Sequence, residues 1–303
     1  MKVEQFKTWN KWVDHPDNPL IRPETHELQL ADPTFLPPSD TPDGKWHLFA
    51  HGILHGIYHY ISKDGIKWLN THKNIPSGLR PFLFKEDDTY YLLYEKIFTL
   101  LLSNIVICQS SDLFDWSPPK IILTTDHKWE GLSNRRIGNP CILKPKNKYY
   151  LFYSAGDTFL WECLFSEPRF IGLAVSDSIG GPYHKLARPI IRPLKKHKYR
   201  NLGAGAIKVI RVGDSWIGFN NGIYKDKYGR SRSSILLLHS DDGITWTDIF
   251  DRPILYPTSG WKSAFVYQLD VRKIGHQYWL YYNARSGWSL GTEAIGLAIL
   301  NLK

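Results

Sequence analysis

A chain of 303 residues, 43% hydrophobic and 22% charged, can bury a large core and is too apolar to be disordered. Its net charge of +9 favours anionic partners, but it has no Lys/Arg block longer than Lys195-Lys196, no zinc-ligand spacing and no RNA-binding signature, which argues against nucleic acid. The start MKVEQFKTWNKW lacks an apolar signal core, and the longest mostly apolar run, from Ile97 to Cys108, is too short to span a bilayer.

The first recognisable element is DNPLIRP at 17–23, echoed later by ARPIIRP at 187–193 and DRPILYP at 251–257. Three short runs of strand character follow: ADPTFL from Ala31, KWHLFAHG from Lys45 and GIYHYIS from Gly56. They end in SKDGIKW at 62–68, where Asp-Gly signals a tight turn and Trp opens another strand. A second series reads LRPFLF, YYLLYE and IVICQS, closed by SSDLFDW at 110–116. The third reads GNPCIL, YYLFYSAG and IGLAVS, with a degenerate turn, SDSIGGPY, at 176–183. The fourth is GAGAIKV, SWIGFNNG and ILLLHS before SDDGITW at 240–246. The fifth, FVYQLDV, YWLYYNAR and IGLAIL, has no fourth strand after it, and DNPLIRP can supply one.

Self-similarity at this spacing predicts an all-β chain. The expected architecture is a single five-bladed β-propeller domain over residues 1–303, with four-stranded antiparallel blades. The N-terminal strand would join the last blade, closing the ring and covering two sheet edges. The three cysteines, Cys108, Cys141 and Cys163, are an odd set, two of them in apparent strand cores. They read as buried reduced thiols in a soluble cytoplasmic protein.

In an antiparallel blade the start of the first strand and the end of the second lie at one end. Those positions carry Asp32 and His51, Arg80 and Glu95, Asn139 and Asp157, Asn220, Gln268 and Arg285. Their convergence predicts a polar small-molecule pocket at the axis. His51, His55 and His59 are spaced for one face of a helix, but the segment reads as strands, so no metal site is expected. No phosphate loop, dinucleotide fingerprint or serine nucleophile elbow is present, and no cofactor is expected.

On ADPTF, the NP of GNPCIL, the DGIKW and DGITW turns, and YYNAR followed by GLAIL, the chain resembles the propeller glycoside hydrolases, such as families 43, 32 and 130. In those families an Asp opening blade one is the base or nucleophile, and Asp32 matches it. An Asp usually opens blade three, where this chain has Asn139. A Glu opens blade four in family 43, where this chain reads NLGAGAIKV.

Glycoside cleavage requires one carboxyl to protonate the leaving oxygen and another as base or nucleophile. The expected pair is Asp32 and Glu95, with His51, Arg80, Asn139, Asp157, Asn220, Gln268 and Arg285 binding substrate. A direct Arg80–Glu95 ion pair would lower the proton affinity of Glu95 and turn it towards ligand positioning. The implied function is a glycoside hydrolase or close glycan-processing enzyme acting on a short oligosaccharide, with an acidic or phosphorylated one favoured by the charge. A glycosyltransferase or glycoside phosphorylase on the same scaffold, and a non-catalytic sugar-binding propeller, are the alternatives.

Overall fold

The recurring Ser-x-Asp turn decides where strands stop. The computed structural model describes residues 4–131, 134–289 and 291–302. In it Ser62 Oγ donates to Asp64 Oδ1 at 3.0 Å, and the same oxygen accepts the backbone N–H groups of Ile66 and Lys67, both at 2.8 Å. Ser110 with Asp112 and Ser240 with Asp242 repeat the arrangement. One carboxylate thus satisfies two turn amides. Trp68 and Trp246 then donate their indole N–H to the carbonyls of Gly65 and Gly243 at 3.1 and 3.2 Å, which fixes each ring against its turn.

Strand β1 is Val13–Asp14. One antiparallel sheet runs in order through β2 (Ala31–Leu36), β3 (Trp46–Gly52), β4 (Gly56–Ser62) and β5 (Leu69–Asn70). A second holds β6 (Gly78–Glu86), β7 (Thr89–Thr99), β8 (Leu102–Ser110) and β9 (Lys120–Leu123). The third holds β10 (Ile137–Leu143), β11 (Tyr149–Leu160), β12 (Phe165–Ser176) and β13 (His184–Lys185). The same antiparallel series recurs in β14 (Ile207–Val212), β15 (Ser215–Lys225), β16 (Ser231–Ser240) and β17 (Thr247–Asp248). It recurs again in β18 (Phe265–Ile274), β19 (Gln277–Arg285) and β20 (Glu293–Asn301), with β1 outermost. A parallel bridge from Ser233 to Phe265 joins these last two series into one eight-stranded sheet.

The outer strands are short and interrupted in a shared way. Lys185 faces Ala174 and Ile191 bridges Ile171; Asp248 faces Leu238 and Leu255 bridges Ile235. The N-terminal segment follows this register on β20, where Asp14 faces Ala298 and Ile21 bridges Ile295. Between them Asn18 exchanges two hydrogen bonds with the backbone of Leu297, each 2.9 Å. The expected pairing of 17–23 with the last strand is therefore present through Asn18 and Ile21, and it begins earlier, at Val13.

Inner strands pack side by side: β2 against β6 and β18, β10 against β6 and β14, and β14 against β18. Aromatic side chains fill the layers between sheets, as where Trp46 stacks on Trp279 at 4.8 Å and Phe35 meets Tyr281 edge-on at 4.7 Å. All three cysteines are buried and free. Among the described residues, no helix is long and apolar enough to cross a membrane.

Candidate functional site

An irregularity repeated at the start of the inner strands aims their first side chains. The ladder slips between Ala31 and Thr34, Leu79 and Phe82, Gly138 and Cys141, and Val266 and Leu269. Inside the first three slips a residue with left-handed backbone stands before proline: Asp32 (φ 51°), Arg80 (φ 54°) and Asn139 (φ 50°). Side chains bearing a Cβ rarely adopt this conformation, and a bulge is a common means of re-aiming one. Gly205 (φ 58°) takes the corresponding place before β14.

These residues border a cavity of about 490 Å³. Its wall holds five of the expected residues, Asp32, His51, Arg80, Asn139 and Gln268, and adds Arg136, Glu167, Asn221, Tyr267 and Glu293. Asp32 is tied to the neighbouring strand β19, its N–H donating to Asn283 Oδ1 at 3.1 Å. Its Oδ2 lies 3.2 Å from His51 Nδ1 and 3.9 Å from Arg80 Nε. The same ring nitrogen stands 3.3 Å from the Arg80 backbone N–H, so the His51 tautomer decides which neighbour it serves. Burial lowers the proton affinity of His51, against the opposing pull of Asp32. Gln268 Nε2 reaches Asn139 Oδ1 at 3.5 Å, linking two inner strands across the floor.

Four expected residues lie elsewhere. Glu95 is wholly buried beneath the wall: Oε1 accepts Arg136 Nε and Nη2 at 3.1 and 2.9 Å, and Oε2 is ion-paired with Arg80 Nη1. Burial pushes its proton affinity up, but Arg80 and Arg136 outweigh this and hold its pKa at about 2. A carboxyl held ionised and out of the cavity does not suit a proton donor, so that expectation gives way to one in which Glu95 orients two wall guanidiniums. A glycine suits position 138, because a Cβ there would clash with Glu95 Oε2. Asn220 is buried behind the wall, donating to the carbonyls of Ala204 and Ala206 at 2.7 and 2.9 Å; its neighbour Asn221 faces the cavity instead. Arg285 is likewise set back, donating to Glu293 Oε1 at 3.0 Å. Asp157 accepts a hydrogen bond from Asn134 beside the small void above Glu95, outside the main cavity.

The sequence reading missed Glu167. It sits on β12 opposite Thr158, in a hairpin whose two strands each run 12 residues. That length was the available signal, since a hairpin so long reaches past its sheet to the cavity. Burial is the main cause of a pKa pushed up to about 8; Glu293 and Asp32 add to it, and Arg80 opposes it. The Tyr267 hydroxyl faces this carboxyl and, as a hydrogen-bond donor, works against the rise. Asn134 Oδ1, at the cavity, is a buried polar atom without a hydrogen-bond partner among the described residues, which leaves it for a polar ligand. Glu293 is raised by burial against the pull of Arg285, and Asn283 Nδ2 also donates to it at 3.0 Å.

The three evenly spaced histidines diverge. His51 borders the cavity, His55 Nδ1 lies 3.1 Å from Glu27, and His59 stacks on Phe49 and bonds to His47 at 2.8 Å. No group of three or more His, Cys, Asp or Glu among the described residues is arranged to hold a metal ion.

The sequence profile of glycosyl hydrolases family 43 matches residues 77–225, just under half of the chain. No curated protein matches it by sequence. Among solved structures it is similar to a glycosyl hydrolase from Bacteroides ovatus, with TM-score 0.68, 14% identity, and 94% of this chain and 92% of that one covered. It is similar as well to β-1,2-mannobiose phosphorylase from Listeria innocua, with TM-score 0.67, 13% identity, and 96% and 97% covered. A thermostable family-43 glycoside hydrolase gives TM-score 0.65 at 14% identity, with 90% of each chain covered. The profile match over 77–225 and these folds agree: the chain is similar to the propeller glycoside hydrolases and shares their fold.

Proposed function

We propose that this chain is a glycoside hydrolase in which Asp32 is the base or nucleophile and Glu167 the proton donor. The carrying observation is that the two carboxyls border one cavity, where the pKa of the half-buried Glu167 is pushed up to about 8. A donor needs its proton at working pH, and a raised carboxyl beside a second one is the division of labour that glycoside cleavage uses. Glu167 would protonate the leaving oxygen as the glycosidic bond breaks, and Asp32 would attack the anomeric carbon or activate water. Asn139, Asn221, Gln268 and Tyr267 supply hydrogen-bonding groups for sugar hydroxyls. We place the cavity on the axis of one closed, five-bladed domain spanning 1–303; the packing of β18 against β2 and the pairing of β1 with β20 support that reading.

Hydrolysis is favoured over phosphorolysis because Glu95 already engages both Arg80 and Arg136, the two wall guanidiniums best placed to grip phosphate. The test is a panel of aryl glycosides assayed with and without inorganic phosphate. Release independent of phosphate, lost in Asp32→Asn, is expected. Strict dependence on phosphate would make the chain a phosphorylase. Glycan binding without turnover, unchanged in Asp32→Asn, would make it a sugar-binding protein.

A further inference from the structure

Hairpin apices in water are ordinarily polar, because Gly, Asn, Asp and Ser meet the backbone demands of tight turns. Three hairpins here break that pattern. Leu54 at the β3–β4 apex is 69% exposed, Leu100 at the β7–β8 apex 90%, and Trp161 at the β11–β12 apex 76%. Ile53, Ile97 and Phe159, from the same three hairpins, all border the cavity, so the apices surround one mouth. Exposed apolar side chains scattered singly need no explanation, but a group gathered on one face does.

Cations accompany these apices. Arg135 bridges Leu102 next to the β7–β8 apex, and Lys96 lies over the Phe98 ring at 5.9 Å. Arg169 lies over Phe170 at 5.5 Å on the third hairpin. None of these three has a carboxylate partner among the described residues. A second copy of the chain would bring the same cations, and a net charge of +9, against this face, which opposes self-association. Leu and Trp apices amid unpaired Lys and Arg instead match an interface whose boundary is apolar and whose headgroups are anionic.

We propose that this face docks on a bilayer bearing anionic phospholipid, with the cavity mouth turned towards the membrane. Leu54, Leu100 and Trp161 enter the boundary between headgroups and acyl chains, and Lys96, Arg135 and Arg169 meet lipid phosphates. The inference does not depend on the cavity's reaction, since none of the three apical residues borders it.

The test is co-sedimentation of the full chain with vesicles of phosphatidylcholine alone and of phosphatidylcholine mixed with phosphatidylglycerol. The chain should pellet with the mixed vesicles, and added salt should release it. Combining Leu54→Asp, Leu100→Asp and Trp161→Asp should weaken pelleting by about tenfold or more, with circular dichroism and Tm unchanged. Single variants serve if the triple variant does not fold. Failure of the wild-type chain to pellet, or equal pelleting of variants and wild type, overturns the proposal. So does a solution dimer, detected by light scattering, that the same substitutions dissolve.

Discussion

Arg80 touches Glu95 with one guanidinium nitrogen and holds another 3.9 Å from Asp32. One cation is thus shared between a carboxylate below the cavity and one in its wall. Its position depends on the lower carboxylate, which makes Glu95 a positioning residue.

Replacing Glu95 should therefore disturb stability before chemistry. Glu95→Gln leaves Arg80 and Arg136 without their counter-ion, at a cost of about 3 kcal/mol, measurable as a fall in urea midpoint. The sign of the pH effect follows from the depressed carboxyl. Its contribution is fully present above the unfolded-state carboxylate range and disappears as pH falls towards about 2. Glu95→Gln should flatten the acid limb of stability against pH; an unchanged limb would place the acid sensitivity elsewhere.

Glu167 predicts the alkaline limb of activity. As donor it works only when protonated, so kcat/KM should fall as pH rises through about 8. In Glu167→Gln that limb should vanish. The variant should lose far more activity on alkyl or sugar leaving groups than on an aryl group that departs without protonation. Equal loss on both classes would assign Glu167 to binding.

Gly138→Ala should act on the same cluster from the other side. The added methyl meets Glu95 Oε2, and overpacking at a fixed backbone costs about 1–3 kcal/mol. In a double-mutant cycle with Glu95→Gln the two losses should be clearly non-additive, because they disturb one group. Additive losses would mean that the glycine serves another purpose.

The N-terminal segment offers a gentle test of its pairing with β20. Asn18→Ala removes two hydrogen bonds to Leu297 and should lower unfolding stability by about 2 kcal/mol. Deleting residues 1–23 should destabilise the whole chain. A truncated chain of unchanged Tm would remove the argument that this segment completes the last sheet.

The all-β strand series was legible because the Ser-x-Asp turn and the strand that precedes it are local devices, written in contiguous residues and repeated. Asp32, His51, Arg80, Asn139 and Gln268 could be placed for the same reason: each follows from its position along a strand. The orientation of a side chain does not. Asn220 and Asn221 are adjacent, and alternation along β15 sends one behind the wall and the other into the cavity. Glu95 was placed at the right end of β7, but its ionised state rests on Arg136, which precedes β10 of another sheet. Glu167 arrives on a long hairpin from outside the inner strands, and the position rule has no term for such an overhang.

The left-handed residues before Pro33, Pro81 and Pro140 separate aim from chemistry. The same backbone conformation presents a carboxyl at Asp32, a guanidinium at Arg80 and an amide at Asn139. The left-handed backbone costs less for Asp and Asn than for Arg, but it aims all three alike, so these positions are equivalent sockets on a common frame. A single substitution at one of them alters charge in the cavity without asking the sheets to repack. The amide at Asn139 is one such setting. With Asp32, Glu167 and Glu293 already at the wall, a fourth acid there would crowd like charges together, and the neutral socket leaves the proposed donor role to Glu167 on its hairpin.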